Sequence, residues 1–355
     1  MLDGMTPAGF VGLCEHVLRL CAVNETETVA VLSQGDERQD YADAFMTAAR
    51  QLGAATFHVR LPDPLPSVGP PGGDGFGVTP LAGNRVGIDS LKGADLVIDL
   101  LFLLFSKEQL EIQESGTRIL LCVEPVAHLA RMLPTPDQRR RVEVSAELLS
   151  RAKSLRFTNP AGTDVVYDLG HYPVLTEYGY TDLPGRWDHW PSGFLATGAS
   201  DVGVNGRVVL DRGDILTPPF GRYVDEPVEI TISDGYIDEI RGGVDADLFR
   251  DYINSFNDDR GRAISHIGWG CNENARWSGL AHDGRGIGME SRAFYGNVLF
   301  STGPNQELGG PNDTPCHLDI PMRNCSVYLD DEPVLLHGEF VVPELQVRQK
   351  RVLNR

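Results

Sequence analysis

The sequence has no excess of positive charge. Its 31 lysines and arginines face 50 aspartates and glutamates, a formal net charge of −19. Such a surface repels phosphate backbones and anionic headgroups, so neither nucleic-acid nor membrane partners are expected. Long apolar runs are missing as well. The longest, "LVIDLLFLLF", carries an aspartate and is about half the length of a bilayer span. The opening "MLDGMTPAGF" has no basic n-region and no long apolar stretch, so no secretory signal is expected and a reducing cytoplasm is the default compartment. Cysteine is sparse: Cys14, Cys21, Cys122, Cys271, Cys316 and Cys325 form no CxxC pair, which argues against a cysteine zinc site and against a disulfide framework. There is no Walker sequence and no GxGxxG, so no motif supports a nucleotide site.

Hydrophobic residues make up 41 % of the chain, enough for a proper core and too many for disorder. At 355 residues, one large or two medium domains are expected. Residues 1–153 alternate between helical and strand patterns. "GFVGLCEHVLRLCAV" has helical spacing, "ETVAVLS" reads as a buried strand, "YADAFMTAARQLG" as a helix ended by Gly53, and "AATFHVRL" as a strand. The Pro/Gly stretch "PDPLPSVGPPGGDGFG" is expected to be an exposed loop. "ADLVIDLLFLLF", the helix-like "SKEQLEIQES", the strand "TRILLCVE" and a helix from Pro136 to about Leu155 follow. This predicts an α/β domain with a parallel sheet covered on both faces. From residue 154 the texture becomes β-rich and Gly-punctuated, as in "GTDVVYDL", "GRVVLDRG" and "PVEITISDGYIDEIRGG", with one clear helix, "DADLFRDYINSF". A second, α+β domain is expected over residues 154–355.

Nine histidines are present. His16, His58 and His128 fall in predicted elements of the first domain, where a lone imidazole is ordinarily structural. "TPCHLDIPMRN" differs, because His317 and Asp319 are two apart and share a face of an extended segment. The pair can reach one cation together, although the same pattern also occurs in plain surface strands. Two histidines and one carboxylate on one face of an octahedron form the facial triad of non-haem Fe(II) oxygenases and leave positions open for substrate and O₂. Spacing leaves the third ligand open among His266 in "AISHIGWGCNENA", His282 in "LAHDGRGIGME" and His337 in "VLLHGEF", the last resembling a strand histidine.

"FTNPAGTDVVYDLG", "HWPSGFLATG", "ITISDGYIDEIRGG", "ISHIGWGCNENA" and "HLDIPM" resemble, in this order, segments of the thermophilic-type leucyl aminopeptidases, over about residues 155–340. That resemblance implies an aminopeptidase-like catalytic domain after an N-terminal α/β domain. The departures are informative. Those peptidases hold two metals with two Glu, two His and an Asp. Here Ser265-His266 stands where they carry a Gly-Glu ligand pair, and "GNVLFSTGPNQELGGPNDT" lacks the other peptidase histidine.

The remaining pattern is similar to the 2,5-dihydroxypyridine 5,6-dioxygenases, which share that scaffold. The resemblance implies a single Fe(II) held by His266, His317 and Asp319, a small hydroxypyridine and O₂ as substrates, a role in nicotinate or nicotine breakdown, and a homo-oligomer. An aminopeptidase with an altered metal site is the alternative. His189, directly before "WPSGF", is a candidate proton shuttle or substrate-oxygen partner, and Glu177 in "LTEYGY" a candidate partner for the ring nitrogen or a hydroxyl. Tyr178, Tyr180 and Trp190 are candidates to pack on a flat ring. Cys316, beside a ligand, is expected to pack.

Overall fold

The computed structural model describes residues 4–63, 79–104 and 106–348. The expected Pro/Gly loop lies outside these from residue 64 on. α1 (Pro7–Leu20) starts where Thr6 accepts the Gly9 N–H and Pro7 takes the first helical position. β1 (Thr28–Gln34), α2 (Gln39–Gln51), β2 (Ala55–Leu61), α3 (Arg85–Lys92), β3 (Leu96–Asp99), α4 (Lys107–Glu114), β4 (Arg118–Leu121), α5 (Val126–Arg131) and α6 (Pro136–Arg151) follow. Gly53, at φ +88°, ends α2 as expected. β1 pairs in parallel with β2 and β3, and β3 with β4. Val29 and Val31 enter the main core with α1 and α2, while Ala30 and Leu32 enter a smaller one with α3 and α4. Both faces are covered, which is why these strands read as unbroken apolar runs.

The second half is made of β5 (Ser154–Thr158), β6 (Asp164–Asp168), β7 (Leu175–Glu177), β8 (Trp187–His189), β9 (Phe194–Gly198), β10 (Val204–Leu210), β11 (Ile215–Leu216), β12 (Arg222–Tyr223), β13 (Val228–Ser233), β14 (Tyr236–Gly242), α7 (Val244–Ser255), β15 (Ile264–Gly270), α8 (Gly279–His282), α9 (Met289–Arg292), β16 (Val298–Thr302), β17 (Leu318–Met322), β18 (Ser326–Leu329), β19 (Glu332–Leu336) and β20 (Glu339–Phe340). One antiparallel sheet runs β14-β13-β10-β6-β5-β18-β19-β20 and another β17-β16-β15-β9-β7. β8 instead pairs in parallel with β4, so the first sheet, in the order β2-β1-β3-β4-β8, takes its fifth strand from beyond residue 153.

Three elements depart from their patterns for local reasons. α6 stops at Arg151, because Leu155 and Phe157 point inward from β5. The run "LVIDLLFLLF" is strand only to Asp99, whose carboxylate accepts the N–H groups of Leu101, Phe102 and Leu103 and turns the chain. His337 lies in the turn between β19 and β20, at φ +51°, not in a strand. Among the described residues no helix is long and apolar enough to cross a membrane.

The pairing of β15 with β9 tolerates no side chain at one point. A Cβ on Gly268 would sit 1.8 Å from the Leu195 carbonyl oxygen. Gly268→Ala is expected to destabilise folding by about 1–3 kcal/mol or more, read as a lower urea midpoint. Gly12→Ala, in the exposed helix face of α1 with nothing within 4 Å, should stabilise the fold by about 0.5–1 kcal/mol and raise that midpoint.

Candidate metal centre

The ligand candidates are positioned by two strands that flank a third. His266 lies on β15, where its backbone N–H donates to Ser301 Oγ and its carbonyl accepts from the same hydroxyl. Ser301, on β16, stands opposite Asp319 on β17. His317 immediately precedes β17, two residues from Asp319, as the alternation requires. The sheet therefore brings two imidazoles and a carboxylate together, each offering one atom within 4.8 Å of the others. Among the described residues this is the one cluster of His, Cys, Asp and Glu with that geometry. His282 and His337, the rivals for the third position, are not part of it.

The orientation of each ring is fixed from behind. His317 Nδ1 donates to the Thr302 carbonyl, 3.0 Å away, so its Nε2 faces the cluster. Tyr252 Oη donates to the His317 carbonyl at 2.9 Å. Asp319 Oδ1 lies 3.3 Å from His266 Nε2 and 3.4 Å from His317 Nε2, longer than a good hydrogen bond. Its other oxygen, Oδ2, accepts Arg292 Nε at 2.5 Å. Burial alone would raise the Asp319 pKa, but Arg292 and His317 outweigh it and hold the carboxylate well below its usual range. Burial likewise opposes charge on His317, and Asp319 reverses that, so its pKa is raised.

These residues fit a divalent cation. A buried, ionised oxygen without a good donor faces two Nε2 atoms, and two imidazoles with one carboxylate are the donor set of a facial triad.

The cluster opens into a cavity of about 450 Å³, the size of a small-molecule site. It lies at the carboxyl ends of β3 and β8, where open parallel sheets bind ligands, and faces the β15–β17 strands. Phe102, Leu104, Trp187, Phe194, Pro218, Ile287, Met289 and Leu299 make it largely apolar. Glu177 and His189 both line it. Burial and the nearby Asp188 push the Glu177 carboxyl up to about 8, against a Ser192 hydroxyl that donates to its Oε2 at 2.9 Å. Burial pulls His189 down to about 4, and its Nε2 has no hydrogen-bond partner. Near neutral pH, one is a protonated acid and the other a neutral imidazole.

The aromatic expectations fare differently. Trp190 is fully buried and meets Phe45 edge-on, while Tyr178 lies between Tyr180 and the Arg186 guanidinium. None of the three lines the cavity; Phe102, Trp187, Phe194 and Tyr252 do. Cys316 is buried against Gly261, as expected of a packing residue. Arg292 has no signature in the sequence. It lies on α9, a single turn pinned by Glu124, whose Oε1 accepts the Met289 N–H at 2.9 Å, and by Glu290, which accepts the Arg276 N–H at 2.6 Å and bonds to Arg131. His128 bridges the two acids, 3.5 Å from Glu124 Oε2 and 3.4 Å from Glu290 Oε2.

A family model described as 2,5-dihydroxypyridine 5,6-dioxygenase matches residues 9–342. The chain belongs to the 2,5-dihydroxypyridine 5,6-dioxygenase family. It is 49 % identical over 334 residues to the 2,5-dihydroxypyridine 5,6-dioxygenase of Pseudomonas putida KT2440, covering 93 % of this chain and 95 % of that one. A solved structure of 2,5-dihydroxypyridine dioxygenase from that organism superimposes with a TM-score of 0.92 at 47 % identity, over 96 % of this chain and 99 % of the other. AmpT from Thermus thermophilus shares the fold alone, with a TM-score of 0.61 at 14 % identity, over 94 % and 99 % of the two chains. The aminopeptidase-like architecture expected from the sequence is thus present in a dioxygenase family.

Arg292→Met leaves the Asp319 carboxylate buried without its cation. Metal affinity, measured by competition with a chelating dye, should fall about 10–100-fold, with Arg292→Lys between the two. Unchanged affinity in Arg292→Met would remove this role.

Proposed function

We propose that the chain opens 2,5-dihydroxypyridine with O₂ across the C5–C6 bond, giving N-formylmaleamate, with Fe(II) held by His266, His317 and Asp319. The observation that carries the reading is the ionised Asp319 Oδ1 facing two Nε2 atoms at the end of a largely apolar cavity. The 49 % identity to a protein of that named activity supports the substrate class. Iron, when bound, would supply the one-electron chemistry that lets O₂ react with an organic ring; zinc has none.

The chain's own groups do the rest. The apolar walls exclude water and hold the flat ring in one plane. Glu177, protonated below about 8, donates a hydrogen bond to a ring nitrogen or oxygen. His189, neutral, accepts the proton of a ring hydroxyl at Nε2, the atom left without a partner. Arg292 keeps Asp319 charged throughout. The altered-peptidase alternative lacks a second ligand cluster among the described residues.

The test is anaerobic reconstitution with Fe(II), then oxygen uptake with 2,5-dihydroxypyridine. One O₂ should be consumed per ring, and His317→Ala and Asp319→Ala should lose both iron and activity. Full activity and iron in either variant would refute the ligand assignment. Cleavage of a leucyl anilide by cobalt- or zinc-loaded protein, without oxygen uptake, would favour the peptidase.

The same assay carries a pH prediction. Burial raises the Glu177 pKa, so the donating acid is present at low pH and is lost as pH rises. kcat/KM should fall through about 8, or somewhat below, since a cation in the same cavity favours the carboxylate. Glu177→Gln keeps a neutral donor and should abolish that limb, and Glu177→Ala should lower kcat/KM by about 10²-fold.

A further inference from the structure

An acidic chain neutralises its arginines easily. Nearly every described guanidinium here meets a carboxylate, a carbonyl or a side-chain oxygen. Two do not. Among the described residues, the guanidinium groups of Arg276 and Arg323 make no hydrogen bond and no ion pair, and both line one open cleft of about 620 Å³. This cleft shares no lining residue with the metal cavity. Arg323 Nε is buried without a partner, as are Arg131 Nε and Arg186 Nε, so what Arg323 offers the cleft is its terminal N–H groups.

The wall beside these cations is rigid and aromatic. Arg323 lies over the Trp277 ring, 4.9 Å from its centroid, and Phe294 meets that ring edge-on at 5.2 Å. Trp277 Nε1 donates to the Gly213 carbonyl and Tyr223 Oη donates to the Trp277 carbonyl, each at 2.7 Å. Two neighbouring acids are engaged by other donors. Asp214 accepts the backbone N–H groups of Arg323 and Asp211, and Glu290 accepts the backbone N–H of Arg276 and bonds to Arg131. Stacking on Trp277 offsets part of the Arg323 charge but leaves its N–H donors unused.

We propose that this cleft binds a small planar carboxylate. A guanidinium fork matches the two oxygens of a carboxylate, two such groups line this cleft, and the Trp277–Phe294 wall suits a flat, unsaturated body. The field of a −19 chain disfavours a phosphate dianion relative to a carboxylate. The site is independent of the ring-opening reaction and of the metal.

The experiment titrates the metal-loaded, anaerobic protein with benzoate, maleate, acetate and inorganic phosphate, read by tryptophan fluorescence and calorimetry. Benzoate and maleate should bind saturably and more tightly than acetate. Arg276→Gln and Arg323→Gln should each weaken binding at least about tenfold, while Asp319→Ala leaves it unchanged, which separates this cleft from the metal cavity. Arg276 is exposed, so Arg276→Gln tests the proposal even where Arg323→Gln unsettles the Trp277 packing. No saturable binding up to about 10 mM, equal binding in the arginine variants, or a preference for phosphate would overturn it. So would an altered oligomeric mass in the double variant without anion binding, which would mark a protein–protein surface instead.

Discussion

The Arg292–Asp319 pair is the interaction on which the site depends. Asp319 is buried beneath an apolar cavity, where an isolated carboxylate would take up a proton and lose its value as a ligand. The guanidinium contact at Oδ2, together with His317, prevents this and leaves Oδ1 facing the two imidazoles. The pair is costly to bury, and it is retained where a fixed negative charge has a use. Everything that places Arg292 therefore bears on the candidate metal centre, including the buried Glu124–His128–Glu290 cluster beneath α9.

The scaffold supplies the rest of the geometry by register. β15, β16 and β17 lie side by side, and Ser301 on the middle strand ties His266 to the level of Asp319. The parallel sheet closes the cavity from the other side. Its β3 strand is cut short by Asp99, which sends Phe102 and Leu104 to the cavity wall, and its β8 strand brings in Trp187 and His189. The site thus lies where a parallel sheet's carboxyl edge meets the face of an antiparallel one. The scaffold is shared with AmpT, so the fold alone does not select the chemistry, which rests on the residues set into it.

Much of this was legible in the residues. The continuous apolar strands and intervening helices announced a parallel sheet, and the i, i+2 spacing of His317 and Asp319 placed both on one side of an extended segment. His266 was one of three rivals by spacing, and family-like phrases around it made the choice. The structure brings that histidine to the other two. Glu177 and His189 both line the cavity, on very short strands that periodicity cannot detect. What stayed hidden depends on tertiary contact. Arg292 acts from a one-turn helix, and Trp190, Tyr178 and Tyr180 carry no mark that tells core aromatics from cavity aromatics. The return of β8 to the first sheet rests on three residues, too few to form a pattern.

The proposed ligands His266, His317 and Asp319 would share one metal ion. That assignment is tested most directly by an anomalous diffraction map, recorded at the iron absorption edge from anaerobic crystals soaked in Fe(II). One strong peak is expected at about 2.0–2.3 Å from His266 Nε2, His317 Nε2 and Asp319 Oδ1. A peak bound elsewhere, or none at this position in protein shown to contain iron, would contradict it.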